Sequence, residues 1–212
     1  MLNSIHDQRF HMSAPHIVIN NWITINNTTI KAGTALLPPL PAVSPLTPEI
    51  VYDALQCSYP KFFKMDSLCK WAFLATECLF YKNDLSKGID KNQVGIALTT
   101  ARGCLDVDKR YLAGISMPSP ALFVYTLPNI MLGEICIRHG FKGEQISMIN
   151  ERYDPNELFF TVSSILNTGM DATLCGWADV NGPERDVCLF WVSKKGPGIP
   201  FTVEALRAIY TG

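Results

Sequence analysis

Hydrophobic and polar positions follow two different periods along the chain. Residues 17–25, IVINNWITI, alternate between apolar and polar side chains, which predicts a strand or the start of a hairpin. Over residues 65–80 the apolar side chains recur every three or four positions, which predicts a core-facing helix of about four turns with Asp66 or Ser67 as its N-cap. The run VGIALTT, residues 94–100, is short and apolar and is typical of a buried central strand.

The middle of the chain combines two predicted helices with an unusual connection. A helix is expected from residue 106 to about residue 115. The stretch SPALFVYTLPNIMLGE, residues 119–134, then predicts a Ser-Pro turn, an aromatic strand, a Leu-Pro-Asn link and the entry into a helix. That helix ends at Gly140 and is apolar on nearly every side. Glu134 and Arg138 stand four positions apart on it, where they are expected to pair.

The last third of the chain contains the clearest helix start. Asp154 fits an N-cap, Pro155 the first helical position and Glu157 the third, so the three predict a capping box. This helix follows a predicted strand over residues 145–149 and is expected to stop at Gly169.

The remaining pattern defines the fold class. Two more strands, DATLCGW and DVCLFWV, are expected around the turn VNGPER, and a short final helix is expected after Thr202 as its N-cap. Because strands alternate with helices, the chain is predicted to be an α/β layered protein with both sheet faces covered. The proline-dense residues 35–49 are expected to form an irregular covering loop. We expect a single domain over residues 1–212, with residues 1–14 as a flexible tail.

Composition and charge disfavour some classes of function and favour others. The formal net charge is −1, so nothing favours binding to nucleic acid or to an anionic membrane surface. Hydrophobic residues make up 48% of the chain and charged residues 17%, which favours a subunit with a buried interface. The sequence has neither the pattern of a signal peptide nor an apolar stretch of about 20 residues that would span a bilayer.

The seven cysteines indicate whether the protein belongs to a reducing or an oxidising compartment. Their number is odd, they form no CxxC pair, and most of them lie within apolar runs. They are therefore expected to be reduced, buried, small hydrophobic residues in a cytoplasmic protein. Neither a metal site nor a cofactor is expected, because spacing typical of metal ligands is missing.

The order of four sequence pieces resembles the N-terminal half of a β-ketoacyl-ACP synthase. The pieces are FKMDSLCKWAFLATECLF, VGIALTTARGCLDVDKRYLAGI, PSPALFVYTLPNIMLGEICIRHGFKGE and GMDATLCGWADV, and the resemblance covers roughly residues 63–179. In that family a Lys-Gly-Pro-like turn, here residues 142–144, precedes the junction of strand and helix that bears the nucleophile. The resemblance implies half of a thiolase-like fold, with a mixed sheet of about five strands and helices on both faces.

The resemblance also implies that the nucleophile is missing. The family holds its acyl chain on a cysteine at a helix N-terminus, where the helix dipole favours the thiolate. Counting back from Gly169 places that position at Arg152, with Glu151 and Tyr153 beside it, and no cysteine occurs in residues 137–174. A guanidinium cannot hold an acyl thioester.

The histidines do not fit the family's catalytic pair either. Three of the four lie within the first 16 residues, and His139 lies in the last turn of a predicted helix. The second half of the fold, which supplies the pair, is not found before Gly212. The resemblance therefore implies a non-catalytic subunit of the chain-length-factor type. Its expected partner is a full-length ketosynthase or a second copy of itself, with acyl carrier protein as a further candidate.

The resemblance further implies an interface. In the family, the segment equivalent to residues 119–134 lies at the subunit contact and extends towards the partner's acyl tunnel. The residues expected at the interface or in the tunnel are Phe123, Tyr125, Leu127, Asn129, Ile130 and Met131, unless they belong to the ordinary core. Trp177 stands where the family has a glycine, and its side chain is expected to fill space near the former active site.

Two other functions are compatible with the sequence. One is a stand-alone module that binds acyl chains or acyl carrier protein. The other is an acyltransferase or thioesterase with a different nucleophile, for which Ser163 and Ser164 are the candidates. Both serines fall within a predicted helix and lack the G-x-S-x-G turn that exposes a catalytic serine. Glu151, Arg152 and Asp154 are expected either to form a buried ion network or to be an exposed charge cluster.

Overall fold

The computed structural model describes residues 16–34, 36–41 and 45–212. The tail expected for residues 1–14 lies outside these ranges, as do residues 35 and 42–44 of the predicted proline-rich loop. The part of that loop that is described has no regular structure up to residue 47.

The described residues form one mixed sheet of seven strands. The order across the sheet is β2-β1-β6-β5-β3-β4, and β7 pairs with one end of β1. Strand β3 runs parallel to β4 and β5, whereas the other pairs are antiparallel. The strands are β1 (Val18–Ile25), β2 (Ile30–Ala32), β3 (Val94–Thr100), β4 (Gln145–Ile149), β5 (Ala172–Asn181), β6 (Glu184–Ser193) and β7 (Ile199–Pro200).

The predicted number of about five strands was too low. Strands β2 and β7 contain three and two residues, and segments this short carry no readable period. The turn expected between the last two long strands is also shorter than predicted. Asn181 and Glu184 still pair across the hairpin, which leaves only two residues for its tip.

Helices cover both faces of the sheet, as predicted. The described α-helices are α1 (Pro48–Ala54), α2 (Ser67–Leu79), α3 (Leu105–Ala113), α4 (Pro120–Val124), α5 (Ile130–His139), α6 (Pro155–Asn167) and α7 (Val203–Thr211). On one face, α2 and α5 bury Phe73 and Ile135 against the sheet. On the other face, α6 and α7 bury Val162 and Leu206. None of these helices combines the length and the hydropathy needed to cross a membrane.

The helix ends follow the predicted capping chemistry with one exception. The Asp66 carboxylate accepts the backbone N–H groups of the first turn of α2, and Gly140 ends α5 with a left-handed φ of 73°. Asp154 caps α6. The predicted capping box is wrong, because the Glu157 carboxylate accepts a hydrogen bond from the side chain of Asn150 instead.

The connection before α5 differs from the prediction. The expected aromatic strand is the short helix α4, in which the Ser119 hydroxyl accepts the N–H of Leu122 at 3.3 Å and Pro120 occupies the first position. A serine cap followed by proline starts a helix, and here it outweighs the strand preference of the aromatic residues. The same signal, Thr47 followed by Pro48, starts α1 within the predicted proline-rich loop.

Helix α5 is less completely buried than predicted, and its two charged residues do not pair. The Arg138 guanidinium donates two hydrogen bonds, of 3.0 and 2.9 Å, to the Glu77 carboxylate of α2. Glu134 is buried and accepts hydrogen bonds from tyrosine hydroxyls. Ile137 is 62% exposed, so one face of the helix remains open.

Candidate functional site

An open pocket of about 380 Å³ lies where the parallel strands end. Ligand sites of α/β sheets form outside the carboxyl ends of such strands. The loops after β3 and β4 and the ends of β5 and β6 line it, together with α7. The residues around it are Asn27, Ala101, Arg102, Glu151, Arg152, Tyr153, Trp177, Asp179, Glu184, Arg185, Asp186 and Tyr210.

Glu151, Arg152 and Tyr153, which the resemblance places at the family's nucleophile position, all line this pocket. Glu151 and Arg152 lie in the bend after β4 and are exposed. Tyr153 is half-buried, and its ring stacks on that of Tyr210 with centroids 4.2 Å apart. The described chain shows no ion pair among Glu151, Arg152 and Asp154. The exposed charge cluster is therefore the alternative that the structure favours, and the buried ion network is not formed.

The first turn of α6 leaves no donor for an anion. One carboxylate oxygen of Asp154 accepts the backbone N–H groups of Asn156 at 2.8 Å and Glu157 at 3.4 Å, and Pro155 has no N–H. Backbone and side-chain hydrogen bonds from Asn156 hold the pKa of the Asp154 carboxyl below its ordinary value. A helix start stabilises a thiolate through free N–H groups and its dipole, and here a fixed carboxylate already occupies them.

Asp179 fixes the floor of the pocket. One of its oxygens accepts three hydrogen bonds, from the Thr100 hydroxyl at 2.9 Å and from the N–H groups of Ala101 at 3.0 Å and Arg102 at 2.9 Å. The Arg102 guanidinium lies 3.6 Å from the other oxygen. The end of β5 therefore holds the turn after β3 in place, which is a positioning role.

Trp177 does not close the pocket. Its side chain is buried, and its indole N–H donates to Asp186 at 3.0 Å. The Tyr210 hydroxyl donates to the same carboxylate oxygen at 2.6 Å. The expected filling by Trp177 is therefore partial, since open space remains beside the ring.

Sequence reasoning missed several residues of this pocket. Asp186 and Tyr210 come from β6 and α7, and no local pattern links them to Arg152. Arg102 carried a usable signal, because it follows a predicted buried strand whose end lies at the same sheet edge as the end of β4.

None of the seven thiols is activated. All are free, six are buried and Cys57 is partly exposed. Burial and the neighbouring Glu77 carboxylate raise the pKa of Cys57 to about 12, and burial raises that of Cys136 to about 11. Burial also raises the pKa of the other five, which are Cys69, Cys78, Cys104, Cys175 and Cys188. Such groups are thiols at neutral pH and react slowly.

The serine candidates and metal chemistry receive no support. Ser163 and Ser164 lie in the middle of α6, far from a strand-to-turn junction of the kind that exposes a catalytic serine. Within residues 16–34, 36–41 and 45–212, no group of three or more His, Cys, Asp or Glu side chains is arranged to hold a metal ion.

A second notable feature is the open edge of the sheet at β4. This strand pairs with β3 alone in the described chain. The hydrogen bonds to β3 include the carbonyl of Glu144 and the N–H of Asn150, at 2.8 and 3.0 Å. Because backbone groups alternate in direction along a strand, those of Gln145, Ser147 and Ile149 point away from the sheet. The edge is ready to pair with another strand.

Apolar surface lies on both sides of this edge. Ile149 is 59% exposed, and Phe160 on α6 is 74% exposed. On the other side a shallow groove of about 440 Å³ runs along α5 to the start of β4, lined by Gly133, Cys136, Ile137, Gly140, Phe141, Lys142 and Gln145. A Cβ added at Gly133 would meet no atom within 4 Å outside its own helix, so the groove is open there.

The six predicted interface residues lie apart from the pocket and divide by exposure. Phe123, Leu127 and Asn129 are exposed, and Ile130 is partly exposed. Tyr125 and Met131 are buried. None of the six lines the pocket around Arg152.

The exposed members belong to a larger apolar surface. We call residues 112–127 the apolar segment, because its exposed large side chains are Leu112, Ile115, Met117, Phe123, Val124 and Leu127. Pro128, the residue after this segment, lies close to the sheet edge. Pro128 and Ile149 of β4 both border Gly103: a Cβ added at this glycine would stand 3.0 Å from Pro128 Cγ and 3.8 Å from Ile149 Cδ1. Exposed apolar surface of this kind is common at sites of protein association.

Comparison with known proteins gives a fold-level match. No family model matches the sequence, and no curated protein matches it. Among solved structures, the ishigamide ketosynthase/chain length factor is similar with a TM-score of 0.65 and 17% identity, over 87% of this chain and 64% of that one.

Two further structures are similar. One is the ketosynthase ApeO in complex with its chain length factor ApeC from Xenorhabdus doucetiae, with a TM-score of 0.58 and 13% identity over 92% of this chain and 90% of that one. The other is AntDE:AntF, a type II PKS acyl-carrier protein in complex with its ketosynthase. It has a TM-score of 0.60 and 13% identity, over 84% of this chain and 62% of that one.

The chain has the thiolase-like fold of ketosynthases and chain length factors. This confirms the α/β class and, at the level of fold, the resemblance found in the sequence. The chain spans 64% and 62% of the lengths of two of these structures.

Proposed function

We propose that this protein is a non-catalytic ketosynthase-like subunit that pairs with a full-length ketosynthase and shapes its acyl tunnel. The observation that supports this most is the start of α6. The N–H groups that would activate a thiol there are bonded to Asp154. We assign Arg152, just before this helix, to the position of the nucleophile. A chain with this arrangement offers shape and contact instead of condensation chemistry.

The proposed contact uses the open edge at β4. A partner strand that adds to this edge would use the outward backbone groups of Gln145, Ser147 and Ile149. It would also cover the exposed side chains of Ile149 and Phe160. Similar structures that are complexes support a ketosynthase as the partner, since ApeO is bound to its chain length factor.

The apolar segment is the proposed second part of the contact. Phe123, Leu127 and Asn129 face the partner, with Ile130 at the margin, while Tyr125 and Met131 support them from below. The proposed role belongs to a single domain in the cytoplasm, where reduced cysteines such as these are normal. Acyl carrier protein is a further candidate partner, supported by the likeness to a ketosynthase that is bound to one.

Co-expression tests the proposal. The chain, carrying an affinity tag, is produced together with the cysteine-bearing ketosynthase encoded nearest to its gene, and the purified material is analysed by light scattering. We expect a 1:1 complex. The matched control is Ser147→Pro, which removes an outward N–H and leaves the bonds to β3 intact. This variant should fold normally, and the ketosynthase should not co-purify with it. Recovery of the wild-type chain as a stable monomer that binds fatty acyl chains would support the acyl-binding alternative.

A further inference from the structure

Helix α5 contains a buried carboxylate that the proposed function does not use. Glu134 is 8% exposed and lies on a helix that is otherwise apolar apart from its last turn. The Tyr59 hydroxyl donates to one of its oxygens at 2.6 Å, and the Tyr125 hydroxyl donates to the other at 3.3 Å. A buried carboxylate is costly unless it is hydrogen-bonded, so two phenols from distant parts of the chain offset its burial.

The two tyrosines connect Glu134 to different regions. Tyr59 precedes the 3₁₀-helix Pro60–Lys64 and stacks on Phe73 of α2, with centroids 5.2 Å apart, so it packs against the core. Tyr125 follows α4 directly and is the one buried residue among residues 119–129, at 8% exposure. The other residues of this stretch are exposed or partly exposed, and Phe123 and Leu127 are 52% and 47% exposed.

We propose that Glu134 is a positioning residue, which holds the apolar segment in a docking-ready conformation through the hydroxyl of Tyr125. This inference rests on the proposed function. A short helix of five residues cannot hold its own shape in water, so the anchor at Tyr125 fixes where Phe123 and Leu127 point. A surface fixed before binding loses less conformational entropy when the partner docks.

The structure offers a matched pair of variants to test this. Tyr125→Phe and Tyr59→Phe each remove one hydroxyl from the same carboxylate and leave the rings in place. Hydrogen exchange of the amides of residues 119–129 and affinity for the partner ketosynthase are measured for both. We expect Tyr125→Phe to speed exchange in this segment on the order of tenfold and to weaken binding on the order of fivefold, as the loss of one hydrogen bond to a charged group predicts.

The comparison variants separate positioning from general stability. Tyr59→Phe should lower the free energy of unfolding by about as much as Tyr125→Phe does. It should leave the hydrogen exchange of residues 119–129 and the affinity for the ketosynthase near wild type. Glu134→Ala should resemble Tyr125→Phe, whereas Glu134→Gln retains an acceptor and should restore most of the affinity.

Each result decides the matter. Equal losses of affinity for the two tyrosine variants, or unchanged exchange in Tyr125→Phe, would overturn the positioning role and leave the proposed pairing intact. Absence of binding by the wild-type chain would overturn the proposed pairing, and the exchange data would still decide whether Tyr125 holds the segment.

Discussion

Asp154, two positions after Arg152, accepts the backbone N–H of Asn156 at 2.8 Å. This bond, together with the proline at position 155, removes the anion-stabilising property of a helix start. The backbone around Arg152 therefore supports the proposed non-catalytic role in the same way as the Arg152 side chain does.

A cysteine placed at position 152 should accordingly stay unreactive. In Arg152→Cys the new thiol lacks free donors in the first turn of α6 and lies near the Asp154 carboxylate, so its pKa should remain at or above the ordinary value of about 8.5. The rate of alkylation by iodoacetamide is measured between pH 6 and 10. A midpoint below about 7 would show that the helix start still activates a thiol. Asp154→Ala in the same background is the control and should lower the midpoint.

The groove along α5 gives a prediction in which stability and binding move in opposite directions. Gly133 lies inside the helix and faces open space, so Gly133→Ala should stabilise the chain by about 1 kcal/mol. Gly133→Leu should keep most of this gain and fill the groove beside β4, which should abolish pairing with the synthase. Urea unfolding and binding titration are measured for both variants. Normal binding by Gly133→Leu would place the partner elsewhere.

Asp66 predicts a pH effect on stability. Burial raises the pKa of this N-cap carboxyl from 3.8 to about 6, despite hydrogen bonds from the N–H groups of Cys69 and Leu68. The folded protein then binds a proton that the unfolded chain releases, so this group's contribution is complete below pH 4 and is lost as the pH rises to 6. The loss is at most about 3 kcal/mol.

The substitution Asp66→Asn isolates that effect. Asparagine caps a helix as well as aspartate and carries no charge, so the variant should match the wild type near pH 4 and exceed it above pH 6. Unfolding free energies are compared at pH 4 and 7.5. Asp66→Ala is the control and should be less stable than Asp66→Asn at both values, since it lacks the acceptor. If Asp66→Asn were less stable than the wild type at pH 7.5, this would contradict the raised pKa of Asp66 as the cause of the pH effect.

Local chemistry explains how far the sequence could predict the fold. Helix α2 has a strong helical period, and strand β3 is a short apolar run with clear ends. The structure places both as predicted. The misassigned strand at residues 120–124 shows the limit, because aromatic residues favour strands while the cap at Ser119 favours a helix. Strand β7 could not be seen, since its two residues are ordered by pairing with β1.

The pocket and the anchor were less accessible to sequence reasoning. Arg152 could be located because it lies at a fixed distance from Gly169 within one strand–helix unit. The hydrogen bonds of Glu134 could not, because its partners Tyr59 and Tyr125 are set by tertiary packing and not by spacing. The four-residue spacing predicted that Glu134 would pair with Arg138. Arg138 of α5 instead donates its hydrogen bonds to Glu77 of α2.

Reconstituted chain extension tests whether the chain is non-catalytic on its own and shapes the products of a ketosynthase. The purified chain and the partner ketosynthase are incubated with a malonyl-loaded carrier protein and an acyl primer, separately and together, and the products are analysed by mass spectrometry. We expect no carbon–carbon bond formation by the chain alone. In the mixture we expect extension that is lost when the synthase cysteine is replaced and whose product lengths change when the chain is omitted. Extended products from the chain alone would contradict the non-catalytic role.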